Sequence, residues 1–554
     1  TGLDPRQDRP RLLSLALPTT DGGHFAYLVD LFAVDARPVL EALAGKDLVG
    51  HNLTFDVQFL DRTGFVPTGT VHDTLLLSRI LYAGQGPGFK HTLAALVERE
   101  LGEILDKTEQ RSDWSGTLTT SQLEYAARDV LVLPRLLDAL RKKLAEANLE
   151  QTGDVETRCL PAVAWMASRG VAVDRGAWLA LVETAEQEAA RLKTEMAGQA
   201  PIHPGEMFPA WNWDSPADML LLFRDCLGVA VKDTSDETLA TISHPIADKL
   251  RHYREATKRT GTYGRTWLKH VASDGRVYAN WNQTGSEAGR MSCSEPNMQQ
   301  LPRDRAYRRC VIAPSGRVLV KADYSQIELR IAAKVSGDEA LLEAYRQGID
   351  VHRQTAQRVL GRDEVSKGDR QLAKALNFGL LYGMGARGFR MHARGEYGLE
   401  LTDEEALEYR AAFFRIYRGL EAWHRKVRRE RVSQTRTLAG RRRLIPRPAP
   451  DKTVAEKRRF EAAMDRQRLN TPVQGTGADG LKLALALLWE RRDQVPGAFP
   501  VMAVHDEIVV EADADQADAA AAWLKEAMLE GMAALIDPVP VEVEVTIGKT
   551  WGGD

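Results

Sequence analysis

Two strand-like runs that each end on an aspartate limit what this chain can fold into. In the first, Val318-Leu-Val-Lys-Ala-Asp323-Tyr-Ser-Gln-Ile-Glu328, the apolar run stops at Asp323. In the second, Val501-Met-Ala-Val-His-Asp506-Glu-Ile-Val-Val510, a polar His-Asp-Glu step separates two apolar runs, the pattern of a tight β-hairpin. If these strands are neighbours, Asp323 and Asp506 meet at one end of a sheet. Two hard oxygen ligands at such a place can bind a pair of Mg²⁺ ions, the arrangement that serves in-line phosphoryl transfer. Either segment alone reads equally well as an ordinary strand and turn, so the weight falls on what lies between them.

Between them, Ser366-Lys-Gly-Asp369 has the form of a capping box with Asp in place of Glu or Gln. It opens a helical pattern in which Arg370, Lys374, Phe378 and Tyr382 recur every fourth residue and share one stripe. Two cations followed by two aromatics suit a triphosphate and then a base. The same stripe is also the ordinary pattern of a surface helix with a core face. Gly379 and Gly383 leave room for another group to approach.

At 554 residues the chain has length for three or four domains, by a prior of about 150 residues each. Residues 1–150 alternate strand-like runs (12–17 and 25–29) with helical patterns (92–101 and 121–144), an α/β domain. Gln151-Thr-Gly-Asp154 reads as a linker, and 151–275 as mainly helical. Strand signals return at 276–281 and 317–322; 337–455 is helical and charged, and 456–554 mixes a long helix (475–491), the hairpin and a final strand at 541–547. The net charge of −3 excludes a uniformly basic nucleic-acid binder. From Arg425 to Arg447, however, there are ten Lys or Arg and a single acid, Glu430. That run is either a solvated face or a phosphate-binding surface. Four scattered cysteines and no apolar stretch of spanning length point to a reduced, cytoplasmic setting away from membranes.

Taken together, these segments resemble the family A DNA polymerases, the group of bacterial DNA polymerase I, in a fragment-like form of bacterial or phage origin. Asp323 to Arg330 is similar to the family's motif A, Arg370 to Gly383 to motif B, and His505 to Glu507 to motif C. The likeness runs from about Leu160 to Trp551 through Thr284 to Arg290, Asp350 to His352 and Asn470 to Thr476. The resemblance implies a right-hand fold, with the thumb mainly in 151–275, the palm in 276–336 and 456–554, and the fingers in 337–455. It implies a template-directed DNA polymerase that extends a primer with dNTPs, acting as a monomer. Asp323, Asp506 and the Tyr324 carbonyl would hold two Mg²⁺ ions, with Mn²⁺ able to substitute. Lys374 would be catalytic. His352, Arg370, Lys374, Phe378, Tyr382, Glu328 and Gln326 would bind the nucleotide, with Tyr382 and Glu328 as the gate against a ribose 2′-OH. Phe378 in place of Tyr implies rejection of dideoxynucleotides. Arg290, Arg466, Asn470, Gln474 and His505 would touch primer–template DNA, and Arg441 and Arg442 would add phosphate contacts.

In the front domain, Asn52-Leu-Thr-Phe-Asp56 and Tyr125-Ala-Ala-Arg-Asp129 resemble the second and third motifs of the family's 3′–5′ exonuclease, implying an RNase H-like fold. Asn52, Asp56, Tyr125 and Asp129 would form its site, with Asp73 structural. The first motif, Asp-x-Glu, is expected just before Thr1, and without it proofreading is expected to be weak. Two alternatives stand beside the polymerase: an enzyme acting mainly as a nuclease, and a catalytically silent DNA-binding relative.

Overall fold

The computed structural model describes residues 4–553 apart from 87, 205, 208, 209 and 303, so Thr1, where the Asp-x-Glu junction is expected, lies outside the described residues. Contacts gather the chain into two units: Thr1–Gly170, Ala279–Gln299 and Gly316–Ile547 in one; Val171–Tyr278, Gln300–Ser315 and Gly548–Asp554 in the other.

The first unit begins with an antiparallel pair, β1 (Leu12–Pro18) and β2 (His24–Asp30), and a parallel pair, β3 (Leu48–Gly50) and β4 (Val71–Asp73). Parallel pairing needs a crossover, here helix α1 (Leu53–Asp61). Helices α2 (Thr74–Leu81), α3 (Leu93–Leu101), α4 (Thr120–Leu131) and α5 (Leu133–Glu146) complete the α/β layer. Its core is Leu77, Ile80, Leu96, Val97, Leu136, Leu140 and Leu144. The expected strands and helices of 1–150 are therefore present, but the linker is not. Helix α6 (Glu150–Arg169) runs straight through 151–154 and buries Thr152 and Gly153. A Cβ at Gly153 would lie 3.6 Å from Leu77 and 3.7 Å from Leu144, so small residues are there for close packing.

Two short strands, β5 (Asn280–Asn282) and β6 (Ser292–Ser294), form a hairpin whose loop carries Arg290. The main sheet follows, built from β7 (Arg317–Tyr324), β8 (Phe499–Val504), β9 (Glu507–Asp513) and β10 (Val543–Gly548) in the order β8-β9-β7-β10. The β7–β9 register runs from Arg317 opposite Asp513 to Asp323 opposite Glu507. Behind the sheet, the largely buried helix Thr476–Glu490 packs on Ala517–Ile536. Gly480 and Gly531 permit the close approach, since a Cβ at Gly531 would lie 2.6 Å from the Ala484 nitrogen. A wide helical turn, Thr471–Gly475, interrupts the helices on either side because Pro472 has no N–H to donate.

The second unit is described by itself. Helices Arg175–Gln199 and Pro245–Thr262 pack together beside a three-stranded sheet of 171–173, 276–277 and 311–312. Its aromatic centre stacks Trp178 on Trp267 with centroids 3.8 Å apart.

Candidate active site

β7 ends at Tyr324, and Gln326 then turns the chain in a left-handed conformation (φ 54°) into the helix Ile327–Ser336. Opposite, His505 (φ 60°) and Asp506 make the turn between β8 and β9. The Tyr324 N–H donates to the Asp506 carbonyl at 3.3 Å, which ties the two aspartate-bearing backbones together. Tyr324 anchors its own side of this junction inward, its hydroxyl donating to the Met528 carbonyl at 2.7 Å.

The charge at this sheet end is unbalanced. Burial, and then the charges of Asp506, Glu507 and Glu544, push the Asp323 carboxyl up to about 7, against the opposing pull of Lys321. The Asp506 carboxyl is also raised by burial. Asp323 Oδ1 is buried without a hydrogen-bond partner among the described residues. No three His, Cys, Asp or Glu side chains converge on one point among the described residues. The carboxylates brought to this sheet end are those of Asp323 and Asp506, with Glu507 opposite Asp323. That set suits Mg²⁺, which keeps waters and binds through one or two carboxylates plus phosphate. Glu544 on β10 was not singled out in the sequence, where it is one of two glutamates, with Glu542, in the alternating run 541–547.

Asp506 opens onto a recess of about 260 Å³ that also gathers His505, Arg290, Glu328 and Gln474. Arg290 Nη2 pairs with Glu328 Oε1 at 2.8 Å. The Tyr382 phenol faces Glu328 and Gln474, and its burial followed by the Glu328 charge holds it protonated. Asn470 lies on the turn of helix just before Gln474, its Oδ1 buried without a partner among the described residues. Arg466, one turn earlier, is exposed.

The striped helix α7 (Lys367–Leu381) forms as expected, with Ser366 and Asp369 completing the capping box and Tyr382 at its end. Lys374 and Phe378 are half-buried along it. Arg370 Nε is held by Asp350 Oδ2 at 2.8 Å. The space at Gly379 and Gly383 is taken by the chain itself: a Cβ would meet His392 at 3.0 Å at the first and Leu469 at 2.9 Å at the second, where φ is also +76°.

Two expectations are corrected. His352 is not an open cationic phosphate ligand. It is 2% exposed, its Nδ1 lies 2.8 Å from Asn377 Nδ2, and its ring centroid is 5.7 Å from that of Phe378. Burial lowers the ring to about 4, so it is neutral and packs against α7 through Asn377 and Phe378. Arg441 is not a surface cation either. It is 2% exposed and pairs with Glu156 and, through Nε at 2.7 Å, with Asp479. Lys482 joins them at 2.5 Å from Glu156. Two buried acids thus balance two buried bases, as burial of charge requires. Arg442 donates to the Leu81 carbonyl at 2.6 Å, so the peak of the basic run faces the front domain.

In that front domain, Asn52 adopts the left-handed conformation (φ 69°) and leads into α1, which carries Asp56. Asp73 accepts from the backbone N–H groups of Asn52 (2.9 Å), Leu53 (2.9 Å) and Leu75 (2.8 Å), a structural role. Asp56 lies on α1 with its carboxyl raised, first by the protein around it and then by the charge of Asp73. Tyr125 and Asp129 lie on one face of α4, and both are held by Lys107, whose Nζ is 2.7 and 2.9 Å from the Asp129 oxygens and 3.3 Å from the Tyr125 hydroxyl. Lys107 lies in a polar stretch between helices, where nothing in its neighbours signals that contact.

A sheet that joins two aspartate-bearing turns at its end, a helix of cations and aromatics that ends at Tyr382 beside Glu328, and a nuclease-like α/β domain ahead of them fit the class of nucleic-acid polymerases. Residues 182–553 match DNA polymerase family A, and residues 1–145 match the 3′–5′ exonuclease domain. DNA polymerase I of Aquifex aeolicus is 33% identical over 95% of this chain and 92% of its own length. The thermostable DNA polymerase I of Thermus aquaticus is 37% identical over 72% of this chain, which spans about half (48%) of that protein. The POL domain of Pol1 from M. smegmatis, solved in complex with DNA primer-template and dNTP, aligns with a TM-score of 0.79 at 27% identity, covering 97% of this chain and 92% of that one. The chain belongs to DNA polymerase family A, the DNA-directed DNA polymerases, with the 3′–5′ exonuclease domain ahead of the polymerase domain. Among the described residues, no helix is long and apolar enough to cross a membrane.

Proposed function

We propose that this chain extends a primer 3′ end on a DNA template with dNTPs, using Asp323, Asp506 and the Tyr324 carbonyl to hold two Mg²⁺ ions. The observation that carries this is the buried, unpartnered Asp323 Oδ1 at a junction of like charges, which a divalent cation relieves. When bound, such a pair acidifies the primer hydroxyl and neutralises the phosphates of the incoming nucleotide. Lys374 and Arg370 present cations to those phosphates from α7, Arg370 with its fork oriented by Asp350. Phe378 offers a ring for stacking beside the nucleotide. Tyr382 and Glu328 bound the space for the sugar, with Glu328 fixed by Arg290. Gln326, Arg466, Asn470, Gln474 and His505 surround the place for the nucleotide and the primer–template end. In the cell this reading places the protein in the cytoplasm.

The front domain supports a second, weaker activity. Lys107 engages both oxygens of Asp129, the carboxylate an exonuclease metal would need. We therefore read primer extension, not degradation, as the main reaction. The test is a 5′-labelled primer–template with Mg²⁺, with and without dNTPs, beside Asp506→Ala. Extension by the parent and not by the variant supports the reading; equal products from both, or shortening faster than extension, refute it.

A further inference from the structure

Arg290 sits at the end of the β5–β6 loop, and that loop is gripped from outside the polymerase sheet. Arg79, on α2 of the exonuclease domain, donates through Nη1 to Asn282 Oδ1 at 2.6 Å and to Thr284 Oγ1 at 3.1 Å. Five residues on, the Gly84 N–H donates to the Glu287 carboxylate. On its inner side the loop is fixed by Gln283, whose Nε2 donates to the Glu156 carbonyl at 2.7 Å. A Cβ at Gly289 would lie 2.5 Å from Arg441 Nε, and one at Gly475 2.8 Å from the Ala288 carbonyl, so the loop has no slack on that side. Within the loop, the Arg290 N–H donates to Ser286 Oγ at 3.0 Å. The guanidinium that meets Glu328 at 2.8 Å is therefore the last member of a rigid series that begins in the exonuclease domain.

Arg79 is an expensive way to make such contacts. Burial lowers its basicity, and the opposing pull comes from the charges of Asp73 and Glu156. Its hydrogen bonds go to the neutral acceptors Asn282 and Thr284, so its placement secures the loop rather than an ion pair.

We propose that Arg79 is a positioning residue for the polymerase site: the exonuclease domain holds the Arg290 loop in register through Arg79, and so sets the Arg290–Glu328 pair that bounds the incoming nucleotide. This rests on the polymerase reading above. Single-nucleotide incorporation with the full chain tests it in Arg79→Ala, in Asn282→Ala/Thr284→Val, which breaks the same contact from the other side should the first variant not fold, and in each combined with Arg290→Ala. The expected result is a rise of about fivefold in KM for the dNTP with kcat held within about twofold. In the Arg290→Ala background the Arg79 change should add nothing, since both act through one pair. Hydrogen exchange of amides 285–291 should quicken by about tenfold while β7 and β9 stay protected. Unchanged exchange in the loop, multiplicative losses in the combined variants, or a fall in kcat alone would overturn the proposal. A parent chain that does not extend primers would sink the polymerase reading and the kinetic role with it, and the exchange result would then decide the anchoring alone.

Discussion

Two clusters of carboxylates in the same unit are built on opposite principles. At Asp323 and Asp506, like charges are crowded at a sheet end, one oxygen has no partner, and the acid is pushed up to about 7. Around Arg441, Glu156 and Asp479 are matched by Arg441 and Lys482, and all four are buried. The matched set is a structural joint: it fastens α6 and the Thr476–Glu490 helix to the 434–444 hairpin. The unmatched set keeps its charges unpaired at the turn between the strands. The exonuclease domain lies between these extremes, with Asp56 unmatched and Asp129 already matched by Lys107.

Removing a member of the unmatched set should abolish function and spare the fold. Asp506→Ala should slow primer extension by several thousandfold, the equivalent of about 5 kcal/mol of lost charge stabilisation. Thermal unfolding of the metal-free chain should be unchanged or improved, because a repulsion is relieved. A variant that extends at a tenth of the parent rate would break the comparison at its strongest point.

The matched set should behave in reverse. Glu156→Gln leaves Arg441 and Lys482 with Asp479 as the one acid of the set, an unbalanced buried charge, and should destabilise the chain by about 3–5 kcal/mol in denaturant titrations. DNA affinity per folded molecule should hold. If Arg441→Ala instead lowered the salt dependence of DNA binding with stability intact, the arginine would be a phosphate contact after all.

This contrast also marks where the sequence could be read and where it could not. Asp323 and Asp506 were legible as ends of apolar runs, while their meeting waited on the pairing of the two strands, which the β7–β9 register supplies. The capping box at Ser366 was legible because its partners are three residues apart. Arg441 was misleading because its acids are 38 and 285 residues away, and a run of arginines looks the same whether solvated or matched. The segment 151–154 looked like a linker for a related reason. Small polar residues serve both flexible chain and tight helix packing, and only the neighbours Leu77 and Leu144 decide between them.

Lys107 gives a third test of intermediate size. If its ammonium competes for Asp129, Lys107→Ala should raise primer shortening in the absence of dNTPs by about tenfold, the worth of one charge-assisted hydrogen bond. Unchanged shortening would show that the ion pair does not restrain the exonuclease site, and that Asp129 belongs with the structural carboxylates.

The smallest effect comes from groups buried in their uncharged form. The His424 Nε2–H donates to the Leu381 carbonyl, 2.9 Å away at the end of α7. Burial lowers it to about 4, and Arg428 and Arg410 push in the same direction while the Leu381 bond opposes. His51 and His91 in the exonuclease domain and His352 behind α7 are lowered to about 4 as well, each first by burial. The folded state then binds fewer protons than the unfolded chain between about 6.5 and 4, so the stability that neutral burial confers is complete above 6.5 and is lost as pH falls. One such histidine should account for about 1 kcal/mol between pH 7 and 5.5. His424→Gln should flatten the pH dependence of unfolding by that amount and leave the other three contributions in place. An unaltered slope would mean that the α7 junction opens to water before the chain unfolds, and that the ring titrates as a free imidazole.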